Sequence, residues 1–170
     1  LSDIAKIDWG NSSLTKDSYV QNGQFLGVSA AGCDGRIDHK EYDFGAVVIS
    51  AIGEYCGRLF FPIENFTAIK NTLVVKELNS NSSYFVYFGL QIWNIGRRGA
   101  AQPFLSKGDT EKMEIIIPDE ETWNKFKNLV DPVFKKIRNN SMQIKTLSSL
   151  RDALLPKLMK GEVRVKEFNS

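Results

Sequence analysis

Apolar residues recur along the C-terminal third of the chain at alternating spacings of three and four. From Trp123 the series runs through Phe126, Val130, Val133, Ile137, Asn140, Ile144, Leu147, Arg151, Leu154 and Leu158, and only Asn140 and Arg151 are polar. That spacing keeps one face of a helix apolar over a length beyond an ordinary globular helix, which predicts a long helix made to lie along another. Asp119, Glu120 and Glu121 place acids where a helix start prefers them. Pro132 predicts either a kink or a break with Asp131 capping a fresh start, and the seam's continuation in phase favours a bent rod. Pro156 predicts a bend before Gly161.

Upstream the pattern changes to short apolar runs punctuated by turn residues. Runs at 25–30, 46–52, 58–61, 72–77 and 113–117 are rich in Val, Ile and Phe and predict strands, the middle three being neighbours. A short helix is expected at 3–7 with Ser2 or Asp3 as cap, a polar loop at 11–18, and a tight turn at 31–35. The aromatic stretch 82–95 predicts a helix packed on the sheet, a glycine-rich loop follows at 96–103, and Ser106 should cap a short turn. The expected fold is a mixed α/β globular head over 1–118, a helical spacer or dimerisation region over 119–162 that pairs as a coiled coil, and a tail over 163–170.

Composition narrows the class. With 170 residues, 42% hydrophobic and 11% aromatic, the chain can bury a core. Cys33, Cys56 and the single His39 supply neither a disulfide framework nor a zinc ligand set, which fits a reducing cytoplasm. The apolar runs are too short to span a bilayer, so no membrane is expected as a partner. The chain opens at Leu1 and not at Met, which suggests either a trimmed chain or a piece of a longer protein. The formal net charge of +2 is unevenly placed: residues 119–170 hold 11 Lys/Arg against 7 Asp/Glu, a net of +4, and residues 1–118 hold 11 against 13, a net of −2. Phosphate neutralisation supplies most non-specific DNA affinity, so a head this acidic would contact DNA only through local basic clusters or with a partner's help.

Catalytic patterns are missing. The sequence has no serine elbow, no phosphate-cradling lysine loop, and no aromatic tetrapeptide of the kind amino-methyltransferases use. Asp38-His39-Lys40 spells the Asp-x-Lys piece of a metal-dependent nuclease, with Asp17 or Asp34 as a second carboxylate, but such triplets arise constantly in solvated loops. The expectation is a non-enzyme with no cofactor and no metal site. What remains is recognition, since arginine and lysine bridge phosphates or read guanine, and glutamine pairs with adenine. Three loops supply such groups: Lys16; Arg36, His39 and Lys40; and Arg97, Arg98, Gln102 and Lys107. Taken singly, each is equally an ordinary solvated residue, and Arg97 and Arg98 also suit the end of a helix dipole.

These residues resemble a known family, the DNA specificity subunits of type I restriction-modification systems. The stretch Leu147-Ser-Ser-Leu-Arg-Asp-Ala-Leu-Leu-Pro-Lys-Leu-Met-Lys-Gly-Glu-Val-Arg-Val165 is similar to the end of that family's spacer helix. The opening Leu1-Ser-Asp-Ile-Ala-Lys-Ile-Asp-Trp-Gly10 resembles the start of a target recognition domain. Ile49-Ser-Ala-Ile-Gly53 with Cys56-Gly-Arg-Leu-Phe60 resembles its central strand pair, and Gly99-Ala-Ala-Gln-Pro103 through Ser106 its late loop. The resemblance implies a non-catalytic reader of one half of a split double-stranded DNA target. Methyltransferase subunits dock on such readers and bring S-adenosylmethionine chemistry, and restriction (motor-nuclease) subunits join for cleavage. A full subunit of the family has two heads and two antiparallel spacer helices, whereas this chain has one of each. Its seam of Val130, Val133, Ile137, Ile144, Leu147, Leu154 and Leu158 is therefore expected to pair two copies as a homodimer, which would make the target palindromic. Asn140 could fix the register of that pairing or be a solvated break in it, and Arg151 is expected to pair with an acid or snorkel. The alternative is an assembly scaffold for methyltransferase subunits that reads no sequence itself.

Overall fold

The computed structural model describes residues 1–78, 83–93 and 103–162. Its contacts divide the chain into two units, Leu1–Lys127 and Asn128–Ser170. The first contains seven described strands: β1 (Ala5–Trp9), β2 (Phe25–Ser29), β3 (Gly32–Ile37), β4 (Val47–Ser50), β5 (Leu59–Phe60), β6 (Phe66–Ala68) and β7 (Thr72–Glu77). The helices are α1 (Ser83–Gln91), α2 (Lys107–Glu111) and α3 (Glu120–Met159). A four-stranded sheet runs in the order β1-β7-β4-β5 and a three-stranded sheet in the order β3-β2-β6.

Strands β4 and β7 explain the layering. Side chains alternate across a strand, yet Val47, Val48, Ile49, Leu73, Val74 and Val75 are all buried to 1% exposure or less. Both faces of this pair must therefore be covered. On one face Val47, Ile49, Leu73 and Val75 pack with Ala5, Ile7, Val86 and Leu90; on the other Val48 and Val74 pack with Val28, Phe66 and Ala68 of the three-stranded sheet. The outcome is three layers, α1 over a sheet over a second sheet. Across the first layer, Phe85 of α1 lies edge-on to Trp123 with ring centroids 4.6 Å apart, so the opening turns of α3 belong to the head's packing.

Several expectations need correcting. Residues 3–7 are not a helix: Ala5 and Ile7 are buried while Lys6 is exposed and pairs with Asp8 at 2.8 Å, a strand alternation completed by antiparallel pairing with β7. The turn expected at 31–35 narrows to Ala30 and Ala31, because Gly32 already pairs with Ser29 and opens β3. Residues 113–117 form no strand. Their carbonyls are used instead by the Leu1 nitrogen, which donates to the Met113 oxygen at 2.7 Å, and by Trp93 Nε1, which donates to that of Glu114 at 2.7 Å. Ile116 and Ile117 are left exposed beside an open apolar groove. The strands near 46–52, 58–61 and 72–77 are neighbours as expected, and Ser106 caps α2 by accepting from the Asp109 N–H at 3.0 Å.

The helix α3 runs unbroken for 40 residues through both Pro132 and Pro156, so the alternative of a break with a fresh cap at Asp131 does not hold. A proline removes one ladder bond, and the turns on either side carry the helix past it. Asp119 Oδ1 accepts the Thr122 N–H at 2.7 Å, an N-terminal cap that holds the Asp119 carboxyl below the ordinary range. No residue of α3 is buried. Trp123 and Phe126, at the start of the seam, pack on Phe85 and Phe88, whereas among the described residues Ile144 and Leu147 further along are 64% and 63% exposed.

One packing contact gives a direct test. A Cβ at Gly35 would stand 2.0 Å from the Tyr19 ring, and Gly27, its cross-strand partner, is crowded by the same ring. Gly35→Ala should destabilise the head by about 1–3 kcal/mol through overpacking, read as a lowered urea midpoint with an unchanged slope.

Candidate nucleic-acid interface

Lys16 opens a 3-10 turn (Lys16–Ser18) closed by reciprocal bonds between Thr15 and Ser18. The turn lays Lys16 Nζ 2.5 Å from Asp34 Oδ2 on β3 and sends Tyr19 over the Gly27–Gly35 gap. Tyr19 Oη donates to Asp34 Oδ1 at 3.1 Å, and Ser29 Oγ donates to Oδ2 at 2.9 Å. Burial alone would raise the Asp34 pKa, but the bonds from Lys16, Ser29 and Tyr19 outweigh it and hold the carboxyl below its usual range. Burial first, and then the Asp34 charge, push the Tyr19 phenol well above its usual range, so it stays a donor.

Arg36 follows two residues along β3, its Nη1 3.1 Å from Glu64 Oε2. Beyond the strand, His39 Nε2 lies 3.2 Å from Glu41 Oε1, an oxygen that also accepts from Asn11 Nδ2. Lys40 Nζ lies 2.9 Å from Asp43 Oδ1 and, through that bond and its charge, holds the Asp43 carboxyl low. Lys107 is the first residue of α2, 3.8 Å from Glu111 Oε1 and 4.0 Å from Asp8 Oδ1 on β1. The structure thus strings Lys16, Arg36, His39 and Lys40 along β3 and its exit, and sets Lys107 apart beside β1. Arg97, Arg98 and Gln102 lie outside the described residues.

Every described candidate faces a carboxylate. Exposed ion pairs of this kind are worth roughly 0–1 kcal/mol, because water screens the attraction and ordering two long side chains costs entropy. Such a pair holds a donor in place, lowers the attraction of the surface for any polyanion, and can be exchanged for a phosphate at small cost. Glu64, with Tyr19, Ser29 and Asn11, was missed in the sequence, and the pairings of Arg36 with Glu64 and Lys16 with Asp34 join distant segments, whereas those of His39 with Glu41, Lys40 with Asp43 and Lys107 with Glu111 are local. Gly27 and Gly35 face each other across β2 and β3, and the space they leave is filled by the Tyr19 ring. Trp9 and Phe104 form a further pair that sequence reading missed, both exposed, stacked 6.2 Å apart. Of the nuclease triplet, Lys40 is on Asp43, while Asp34 is held by Lys16. Among the described residues no group of three or more His, Cys, Asp or Glu could hold a metal ion, and no helix is long and apolar enough to cross a membrane.

The described structure is a mixed α/β head followed by a 40-residue helix with exposed seam residues. Known proteins share that architecture. The chain is 32% identical over 191 residues to the specificity subunit of the type I restriction enzyme MjaIX of Methanocaldococcus jannaschii, a match covering 99% of this chain and 44% of that protein. It is also 32% identical over 92 residues to the HindI specificity subunit of Haemophilus influenzae, covering 50% of this chain and 20% of that protein. The S subunit of a type I restriction-modification system from M. genitalium superposes with a TM-score of 0.64 over 92% of this chain and 44% of its own, at 16% identity. The HsdS subunit from Thermoanaerobacter tengcongensis gives 0.56 over 95% and 44%, at 15% identity. These two structures show the shared fold. No family model matches the chain. Over nearly its whole length the chain is similar to a specificity subunit of a type I restriction-modification system, with one head and one helix, and it spans less than half the length of the relatives it matches.

The Asp34 cluster is directly testable. Asp34→Asn should cost about 1–3 kcal/mol, since bonds from three donors to a charged acceptor are weakened together. The pH dependence has a definite sign. A carboxyl whose folded pKa is lowered stabilises fully above its unfolded value of about 3.9 and loses that contribution as pH falls through the lower folded value. Urea titrations at several pH values should show the wild type losing more stability on acidification than Asp34→Asn.

Proposed function

We propose that this chain is a non-catalytic DNA reader, in which the head recognises one half of a split duplex target and the helix acts as spacer. The observation that carries the reading is similarity along nearly the whole chain to a specificity subunit, with the head-and-helix architecture to match. In this reading Lys16, Arg36, His39, Lys40, Arg97, Arg98 and Lys107 serve phosphates or base edges, and Gln102 reads a base. Methyltransferase subunits, and restriction subunits in the full complex, supply the chemistry in the cytoplasm. Two copies pair through the exposed seam, so that the target is palindromic. The neutralised state of the described cations favours a second reading, an assembly scaffold for methyltransferase subunits without sequence readout.

Binding titrations on duplexes of varied sequence, alone and with the methyltransferase subunit, separate the two. A reader should prefer one sequence in at least one arm, and uniform or absent binding in both leaves the scaffold. Gln102→Ala should weaken target binding by roughly 1–3 kcal/mol and relax specificity at one position if it reads a base. Lys16→Ala should weaken all duplexes alike and lower the salt slope by about one. For the spacer, Leu147→Asp with Leu154→Asp should raise the dimer dissociation constant by about two orders of magnitude or more, because charges would enter an apolar contact. Light scattering checks this, and a persistent dimer would place the contact elsewhere.

A further inference from the structure

The connection between β4 and β5 and the segment 103–105 are laced together at one end of the four-stranded sheet. Gly53 N–H donates to the Pro103 carbonyl at 3.0 Å, Leu105 N–H donates to that of Ala51 at 2.8 Å, and Ile52 and Phe104 form an antiparallel bridge. Leu105 is buried, so the neighbouring Phe104 is turned outward, 60% exposed on a fixed backbone. Trp9 meets it from β1. Ala5 and Ile7, on the same face of that strand, are buried, but Trp9 ends the strand beyond their core, 42% exposed and stacked on Phe104. Two large rings held in water on rigid backbone forgo the stabilisation that burial would supply, which is how a contact surface for another molecule is marked.

Arg58, on the same connection, differs from every cation considered above. It is exposed, its Cζ lies 4.7 Å from the centroid of the Tyr55 ring, and among the described residues it forms no ion pair. Lys16, Arg36, His39, Lys40 and Lys107 must each release a carboxylate before taking a phosphate or a base edge, whereas Arg58 need not. Attraction to the ring holds the guanidinium without neutralising it, so its charge and its forked donors stay available to an outside acceptor. Its backbone is fixed too, since the Arg58 carbonyl accepts the Ser50 N–H at 2.9 Å.

We infer that this end of the sheet reads bases, with Arg58 forking onto a guanine in the major groove and the Trp9–Phe104 pair packing on a thymine methyl. The inference rests on the DNA reading proposed above and deepens it by naming determinants which that reading leaves unassigned. Two parallel N–H bonds from a planar guanidinium match O6 and N7 of guanine, and an apolar ring matches the methyl that marks thymine. Stacking on Tyr55 restricts the guanidinium beforehand, so less freedom is lost when the base arrives. Three strand spacings separate β1 from β5, about 14 Å in all, so both contacts fit within one half-site of a few base pairs. Lys107, which follows Phe104 on α2 and lies 4.0 Å from Asp8 on β1, supplies a cation for a flanking phosphate.

The test uses the full chain with the methyltransferase subunit and a pool of duplexes carrying a randomised segment, the bound fraction being sequenced. Arg58→Lys keeps the charge and loses the fork, so it should keep the wild-type salt dependence and lose preference for guanine at one position by about fivefold or more. Phe104→Ala should lose preference for thymine at another position of the same half-site by about fourfold, the worth of one buried methyl. Uracil in place of that thymine should weaken the wild type equally and leave Phe104→Ala unaffected. Should either variant fail to fold, base analogues read the same contacts on the wild type, uracil removing the methyl and 7-deazaguanine removing N7. A variant that selects the wild-type sequence unchanged, or an analogue that binds the wild type as well as the natural base, overturns the assignment of that residue and leaves the DNA reading standing. A wild type that selects no sequence removes the DNA reading, and this inference with it.

Discussion

The head depends on one constraint, that β4 and β7 must be dry on both faces. Neither strand has a polar face to offer solvent along 47–49 or 73–75, so a helix layer and a second sheet must close over them together. Polar chain is thereby driven to the strand ends and outer edges. The main chain leaves β1 by donating from Gly10 to Thr72 and from Asn11 to Ala68, which carries it from one sheet to the other. Asn71, with a φ of 69°, and Thr72, whose hydroxyl donates to the Ile69 carbonyl at 2.6 Å, turn β6 into β7 at the same junction. The loop bearing Lys16 is tied there too, since Leu14 accepts the Lys70 N–H at 3.2 Å. The candidate residues near β3 are held by a fold whose first requirement concerns other residues altogether.

Electrostatics then gives these loops a particular character. Their cations are matched by local acids, and the head's sequence carries two more acids than bases in all. Under the proposed role, attraction to an arbitrary duplex is small, and binding must come from geometry that lets a phosphate or a base edge take a carboxylate's place. The Asp34 cluster shows what such a latch involves. Its carboxylate accepts from Lys16, Tyr19 and Ser29, so Lys16 can move away without stranding the charge, whereas loss of Asp34 frees all three at once.

The parts of the fold legible in the sequence were those whose pattern is local. The strand β7, the cap of α2 and the whole of α3 follow from a run of β-branched and aliphatic residues, a serine at the cap and a three-four seam. Residues 3–7 misled because Ile4 and Ile7 also fit a helical spacing, and what makes them a strand is β7, some seventy residues away. Residues 113–117 misled in the other direction: a β-branched run suggests a strand, but a strand needs a neighbour with free backbone groups, and these carbonyls go to Leu1 and Trp93. The candidate cations were legible as residue types. The pairings of Arg36 with Glu64 and of Lys16 with Asp34 were not, since the fold forms them, whereas Glu41, Asp43 and Glu111 sit within four residues of the cations they face.

The seam poses a problem that its apolar residues cannot solve. Leucine against isoleucine is satisfied equally well after a slip of one heptad, and on a helix rising 1.5 Å per residue that slip is about 10.5 Å. A spacer that slips by that distance would not hold a fixed separation. Information about register must therefore reside where the seam is imperfect, at positions that contribute less to affinity than leucine would. Under the proposed self-association, the polar breaks in this chain's seam are Asn140 and Arg151, eleven residues apart.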